Sequence, residues 1–207
     1  MLHIHQIKKL YGSFEVLHIA ETRLEPGKYW LKGANGSGKS TLLNIVAGIL
    51  PFKGDITIRH KFSIVKNPVQ YRALVNHAPA EPLYPSFVKG QDLIDFYKRV
   101  KRGNDKQIEE VKSALAIDDF LKNPTGSYSS GMLKKLSLLL AFIGKPAWIL
   151  LDEPFTTLDA QSQIALQQLI RQKNDVSFIL TSHHDVSPAE IPFTGVFLLK
   201  NKTLEPD

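Results

Sequence analysis

The sequence predicts an α/β fold: a mixed sheet flanked by helices, a small antiparallel β lobe and an inserted lobe of helices. Short apolar segments alternate with helical patterns along most of the chain, which indicates a sheet with parallel strands. A glycine-rich segment joins one such strand to a helix. Residues 84–131 carry helical patterns only. We therefore expect one domain over 1–207, with 1–83 and 132–207 forming the core and the β lobe, and 84–131 forming the helical lobe.

Glycine, proline and capping residues separate the predicted elements. Gly12 makes a turn between the first two strands, Gly48 ends the first helix, and Asp159 is suited to cap a later one. Residues 66–87 are rich in proline and are predicted as loop. The predicted strands are 2–10, 14–24, 29–32, 56–58, 62–65, 148–151, 176–180 and 196–199. The predicted helices are 41–47, 93–100, 108–115, 131–143 and 160–173.

Composition limits the classes of protein. With 207 residues and 43% hydrophobic content, the chain can bury a core, and the absence of cysteine excludes disulfides and thiolate metal sites. The net charge is +6, but no dense basic run occurs, so we interpret the basic residues as solvated and expect no nucleic-acid partner. The longest apolar run, 136–143, is too short to cross a bilayer. Residues 1–5 lack the pattern of a signal peptide, which predicts a cytoplasmic location.

Residues 33–40, GANGSGKS, match the phosphate-loop pattern G-x-x-x-x-G-K-[ST]. The segment follows a predicted strand and opens a helix, so backbone N–H groups and the positive end of the helix dipole converge on one anion. This arrangement predicts binding of a nucleoside triphosphate. Lys39 is expected to reach the β- and γ-phosphates, and the Ser40 hydroxyl to hold Mg²⁺. The residues expected to bind the nucleotide here are Gly33, Asn35, Gly36, Ser37, Gly38, Lys39, Ser40 and Thr41.

Two carboxylates follow the apolar segment 148–151. A carboxylate at the tip of a buried parallel strand faces the crevice where ligands bind, so Asp152 is expected to serve Mg²⁺. Glu153 is expected to position and deprotonate an attacking water. An isolated Asp-Glu pair more often belongs to a solvated loop, but the four preceding apolar residues and Pro154 favour a site.

Two further segments carry weaker signals. His183 follows the predicted strand 176–180 and could contact a γ-phosphate or the attacking water, although a lone histidine is more often structural and His184 lies beside it. Residues 128–132, YSSGM, precede a long helix; small polar residues there form either a second anion site or an ordinary N-cap.

The order of these parts resembles the nucleotide-binding subunit of ATP-binding cassette (ABC) transporters, over about residues 4–205. Residues 128–132 are similar to the family's signature motif, usually L-S-G-G-Q, and 150–154 to its Walker B strand with the catalytic glutamate. Residues 157–159 look like its D-loop, and His183 like its switch histidine. Tyr11 looks like the aromatic residue that stacks on adenine, although packing at the end of a strand would also account for it.

The resemblance implies a RecA-like core and a mechanism that needs two nucleotide-binding domains, identical or related. They pair head to tail and enclose two ATP molecules with Mg²⁺, each between the phosphate loop of one domain and the signature motif of the other. On this interpretation Ser129, the N–H of Gly131, and Asp159 serve the partner domain's nucleotide. ATP hydrolysis would then drive an integral membrane subunit, with this chain peripheral on the inner face of the membrane.

The chain departs from the family pattern at three positions. Ala80 stands where a glutamine is usual, in the loop after a strand that ends near Ala78. Alanine cannot bind Mg²⁺ or water, and Glu81 is a candidate substitute. Ser130 replaces a glycine, and Leu133 stands where polar residues are common.

Two functions other than transport are consistent with a phosphate loop. A small-molecule kinase also uses a phosphate loop, but the sequence has no arginine cluster for a lid and gives the signature-like segment no role. Among soluble relatives, repair ATPases carry a long coiled coil and translation factors carry two such domains, and this chain has neither. A soluble ABC-type ATPase that acts in assembly remains open.

Overall fold

The computed structural model describes residues 1–182, 187 and 189–207. The strands are β1 (Leu2–Tyr11), β2 (Phe14–Leu24), β3 (Lys28–Lys32), β4 (Lys53–Ile58), β5 (Phe62–Ser63), β6 (Val75–Ala78), β7 (Trp148–Leu151), β8 (Ser177–Thr181), β9 (Gly195–Lys200) and β10 (Thr203–Pro206). The α-helices are α1 (Lys39–Val46), α2 (Pro68–Ala73), α3 (Gly90–Lys101), α4 (Asp105–Leu115), α5 (Ser130–Phe142) and α6 (Ala160–Gln172).

The strands form two sheets. The larger sheet has the order β10-β9-β3-β8-β7-β6, in which all neighbours are parallel except the β10–β9 pair. The smaller sheet, β2-β1-β4-β5, is antiparallel throughout. A hydrogen bond of 2.8 Å from the His18 N–H, in β2, to the Lys202 carbonyl, in the turn between β9 and β10, connects the two sheets. The mixed sheet, its flanking helices and the small antiparallel sheet agree with the predicted fold class.

Strand β7 is buried on both faces and lies between two hydrophobic cores. Trp148 and Leu150 belong to a core that also contains α1 and the inner face of the small sheet, which we call the strand-side core. Ile149 and Leu151 belong to a core built with α4, α5 and α6, which we call the helix-side core. Successive side chains of a strand point to opposite faces, so a continuous apolar run is required wherever both faces are covered.

Residues 84–131 contain α3, α4, two single-turn 3₁₀ helices and the start of α5, as their helical spacing predicts. The Tyr128 hydroxyl donates to the Phe120 carbonyl (2.8 Å) and accepts the Gly90 N–H (3.2 Å). It therefore ties the beginning of α3 to the segment just before α5. The exact division between core and lobe stays a prediction.

The structure corrects three details of the predicted elements. Residues 66–87 are not all loop, because they contain α2 and β6. Pro68 occupies the first turn of α2, where a missing N–H costs nothing, and the remaining prolines of this stretch lie beyond β6. Strand β5 ends at Ser63, whose hydroxyl accepts the N–H groups of Val65 and Lys66 and so turns the chain. Strand β10 was not predicted.

Among the described residues, no helix combines the length and the apolar character needed to cross a membrane.

Candidate active site

An open cavity of about 480 Å³ lies at the carboxyl edge of the large sheet. The phosphate loop after β3, the loop after β6 and the residues after β7 all reach it, because the ends of neighbouring parallel strands meet at one edge. Its lining residues are Tyr11, Val16, Asn35, Gly36, Gly38, Lys39, Ser40, Thr41, Ala80, Asp152 and Glu153. The structure thus brings together most of the residues predicted for the nucleotide and its metal.

The phosphate loop is shaped by glycines with positive φ. Gly38 has φ 106°, and a Cβ there would lie 3.1 Å from the side chains of both Val16 and Leu17. Gly33 has φ 154°, and a Cβ there would lie 2.6 Å from Ser37 Oγ. Side chains at these positions would be strained and crowded, so the spacing of glycines in the motif has a steric cause.

Lys39 lies within the curve of this loop. Its side chain is buried, and Nζ donates to the carbonyls of Gly33 (2.8 Å) and Ala34 (3.2 Å). The ammonium group is therefore held where α1 begins, beside the backbone N–H groups that an anion would meet.

Asp152 and Glu153 are fixed by one buried hydroxyl group. Thr181 Oγ1, at the end of β8, donates to Asp152 Oδ1 (2.7 Å) and accepts the Glu153 N–H (2.8 Å). Thr181 is fully buried and Asp152 is 2% exposed. Glu153 has φ 45°, unusual for a residue other than glycine, and this turn brings the chain out of β7. Thr181 was missed by the sequence reasoning; its only signal is a polar residue closing an apolar strand.

Lys134, on α5, was also missed. Its side chain is 1% exposed, and Nζ donates to three backbone carbonyls: Pro79 (3.0 Å), Ala80 (2.9 Å) and Asp152 (2.9 Å). Burial lowers the pKa of Lys134 to about 8, although the charges of Asp152, Glu153 and Glu81 act in the opposite direction.

Tyr11 lies at the mouth of the cavity, at the end of β1. Its side chain is 49% exposed, and Lys9 Nζ lies 4.7 Å from the centre of its ring. Lys9 is itself held by a 2.8 Å hydrogen bond to the Pro51 carbonyl. The ring is thus supported by a cation–π contact while much of its surface stays open, which suits it to stack on a base.

The signature-like segment forms a second group, since neither Ser129 nor Gly131 lines the cavity. Ser129 caps α5, with Oγ accepting the Met132 N–H at 3.2 Å, and is exposed. A Cβ on Gly131 would lie 2.8 Å from the Thr157 carbonyl oxygen, so the segment packs closely on the D-loop-like residues.

Asp159 belongs to this second group. Its carboxylate accepts the N–H (2.8 Å) and the hydroxyl (2.9 Å) of Ser162 at the start of α6, and it pairs with Lys135 at 2.9 Å. The hydrogen bond from the Ser162 N–H, followed by the Lys135 contact, holds the pKa of Asp159 well below its usual range. The predicted helix cap is present, whereas nucleotide binding by Asp159 stays a prediction that involves a second domain.

His183 lies outside the described residues. For Mg²⁺, the Ser40 hydroxyl and the Asp152 carboxylate line the same cavity and offer the oxygen ligands that this ion prefers, so the residues present fit the metal.

Comparisons with known proteins agree with this geometry. The family model for ABC transporters matches residues 17–156. The mouse glucosylceramide transporter ABCA12 is 31% identical over 195 residues, which cover 88% of this chain but 8% of that protein. The linearmycin resistance ATP-binding protein LnrL of Bacillus subtilis is 28% identical over 192 residues, which cover 89% of this chain and 61% of that protein. The chain therefore spans only part of these relatives.

A solved ATP-binding subunit of an ABC transporter shares the fold, with a TM-score of 0.86 over 99% of this chain and 88% of that one, at 21% identity. The phosphate loop, the Walker B strand and the signature-like segment stand in the order of that family, and the family model covers more than half of the sequence. On these grounds the chain belongs to the ABC transporter family, as a nucleotide-binding domain of the P-loop NTPase fold.

Proposed function

We propose that the protein is the ATP-hydrolysing subunit of a transporter and that it works as one of two paired nucleotide-binding domains. The observation that carries the proposal is the separation of two groups on one chain. The phosphate loop, Asp152 and Glu153 line one cavity, whereas Ser129 and Gly131 lie outside it. A chain with two separate half-sites needs a second domain to complete either.

Within the first half-site, each residue has a distinct role. Lys39 and the N–H groups of the loop bind and orient the phosphates, and Tyr11 stacks on the base. Ser40 and Asp152 hold Mg²⁺, which when bound neutralises charge on the phosphate oxygens. Glu153 accepts a proton from the attacking water, and Thr181 holds the backbone of Glu153 next to the Asp152 carboxylate.

The second half-site acts on the nucleotide of the partner domain. Ser129 is exposed, and its helix presents backbone N–H groups at the beginning of α5. Gly131 rests on Thr157, so the signature-like segment and the D-loop-like residues move together on closure.

Removal of the proposed base tests this function. Glu153→Gln removes the base but keeps the size of the side chain, so turnover should cease while ATP still binds and the dimer accumulates. The measurements are ATPase rate and elution volume on size-exclusion chromatography with ATP and Mg²⁺. Glu25→Gln, an exposed change before β3, is the matched control and should behave as the parent. Parent-like turnover in Glu153→Gln would remove this residue from the reaction.

The substitution Lys39→Ala tests the phosphate loop independently. Loss of the ammonium group should weaken ATP binding at least about tenfold, because a charge-assisted contact to the phosphates is lost. Isothermal titration calorimetry measures this directly. An unchanged affinity would contradict the assignment of residues 33–40.

We infer that the membrane subunit docks in a second cleft, of about 360 Å³, between α3 and the loop after β6. Ile49 and Leu83 line this cleft with 60% and 90% exposed side chains, and Arg72 and Lys101 add positive charge. This surface suits a short apolar segment that carries an acidic residue.

Substitution within the cleft separates docking from hydrolysis. Leu83→Asp should abolish co-purification with the membrane subunit and leave basal ATPase activity within about twofold of the parent. Ile164→Asp, an exposed apolar position on α6, is the control.

Purification from native membranes also decides between the two functions: an integral membrane subunit supports transport, and soluble partners alone support an assembly ATPase.

A further inference from the structure

We propose that Lys134 is a positioning residue that couples the two half-sites, in place of the glutamine that this chain lacks at position 80. Its ammonium group joins the loop after β6, the end of β7 and the first turns of α5. The proposal rests on the function proposed above, because it assigns a role in ATP turnover.

The contacts of Lys134 connect three segments that otherwise have separate roles. Ala80 lines the nucleotide cavity, Asp152 is the proposed metal ligand, and α5 begins at the signature-like segment. Nζ lies 2.9 Å from the carbonyl oxygens of both Ala80 and Asp152 and 3.0 Å from that of Pro79. An ammonium group has three N–H donors, so each donor has one acceptor.

Packing alone gives a poor account of a lysine at this position. The side chain is 1% exposed, and its ammonium group donates to three neutral carbonyl groups rather than to a carboxylate. Burying an ammonium group costs more free energy than burying an apolar side chain of the same length, even when its hydrogen bonds are satisfied. The charge therefore has a use that an apolar residue would not provide.

The alanine at position 80 indicates what the charge of Lys134 does in this chain. A methyl side chain cannot accept or donate a hydrogen bond, so Ala80 cannot link the loop to the nucleotide site through its side chain. Lys134 instead holds the backbone of residues 79 and 80 against the end of β7. A shift of this loop is then transmitted to α5, and a shift of α5 to the loop and to Asp152.

This arrangement predicts a specific kinetic pattern. The ammonium group of Lys134 donates to residues 79, 80 and 152 and not to the phosphate loop, so ATP affinity should be preserved when it is removed. Alignment of Asp152 and Glu153 with the signature-like segment should be lost, and small misplacements of reacting groups are costly in rate.

The experiment compares Lys134→Met, Lys134→Arg and the control Lys28→Met. Lys28 is likewise a buried lysine that donates to a backbone carbonyl, that of Arg171, but it lies at the opposite end of the sheet. For each variant, kcat is measured with saturating MgATP, and ATP affinity by calorimetry. We expect kcat of Lys134→Met to fall at least about tenfold with ATP affinity within about twofold, while Lys134→Arg retains most of the parent rate. Lys28→Met should keep kcat within about twofold of the parent.

Three results would overturn the proposal: a parent-like kcat in Lys134→Met, a parallel loss of kcat and ATP affinity, or an equal loss of kcat in Lys28→Met. If Lys134→Met does not fold, Lys134→Gln is judged by the same criteria, and parent-like turnover in that variant rejects the coupling. A parent protein without ATPase activity would instead refute the proposed function, so the two failures are distinguishable.

Discussion

The substitution Thr181→Val removes one hydroxyl group that binds both the Asp152 carboxylate and the backbone N–H of Glu153. Thr181 Oγ1 donates to Asp152 Oδ1 at 2.7 Å and accepts the Glu153 N–H at 2.8 Å. Valine has nearly the same shape, so the loss of these two hydrogen bonds dominates the effect.

The magnitude follows from the nature of the two bonds. A hydrogen bond to a charged group contributes about 1.5–3 kcal/mol, and one between neutral groups about 1 kcal/mol. Because Thr181 is fully buried and Asp152 is 2% exposed, water has little room to replace the lost contacts. We expect the free energy of unfolding to fall by about 3 kcal/mol and the urea midpoint by about 1 M.

Urea unfolding without nucleotide, followed by circular dichroism, measures the loss, and ATPase assays measure its functional effect. Turnover should fall at least about tenfold, because Asp152 and Glu153 are no longer held together. Thr181→Ser keeps the hydroxyl and should lose less than half as much stability. A Thr181→Val midpoint within about 0.2 M of the parent would refute the reasoning.

Three further substitutions test other parts of the structure. Gly131→Ala places a methyl group 2.8 Å from the Thr157 carbonyl oxygen, so turnover should fall about tenfold, with ATP affinity unchanged in calorimetry. Parent-like turnover would contradict the role inferred from this close contact. Tyr71→Phe loses the 2.8 Å hydrogen bond to the Val46 carbonyl and should destabilise the fold by about 1–2 kcal/mol in urea; a loss below about 0.3 kcal/mol would count against it. Burial lowers the pKa of His77 to about 4. As the pH falls below about 6.5, His77 therefore takes up a proton in the unfolded chain before it does so in the folded protein. Between about pH 7 and pH 5 the free energy of unfolding of the parent should fall by about 2 kcal/mol more than that of His77→Gln. Equal losses in the two proteins would disprove this.

The sequence predicted those parts of the fold whose cause is local. Strand β7 is a continuous apolar run, and the phosphate loop needs glycine where a Cβ would clash, so both are visible as residue types at fixed spacing. The prolines of residues 66–87 suggested a loop and hid helix α2, and a strand ending near Ala78 was indicated only by the family resemblance. The fold is decided there by tertiary packing, notably by Tyr71, which is fully buried.

The contacts of Lys134 and Thr181 could not be predicted from the sequence. Lys134 contacts carbonyl groups that lie 55, 54 and 18 positions away, and a carbonyl group is the same in every residue. Thr181 meets Asp152 across 29 positions of chain. Their roles depend on which strands become neighbours. The roles of Ser129, Gly131 and Asp159 toward a nucleotide remain predictions, because they involve a second domain.

The side chains of β7 alternate between the strand-side core and the helix-side core, and this has a consequence for how the protein loses activity on heating. A slip of one residue in this strand would exchange the two faces, so that Trp148 and Leu150 would meet the cavities shaped for Ile149 and Leu151. Asp152 directly follows the strand, so its location depends on the packing of both cores. On heating, inactivation should therefore coincide with global unfolding and not precede it as a separate event.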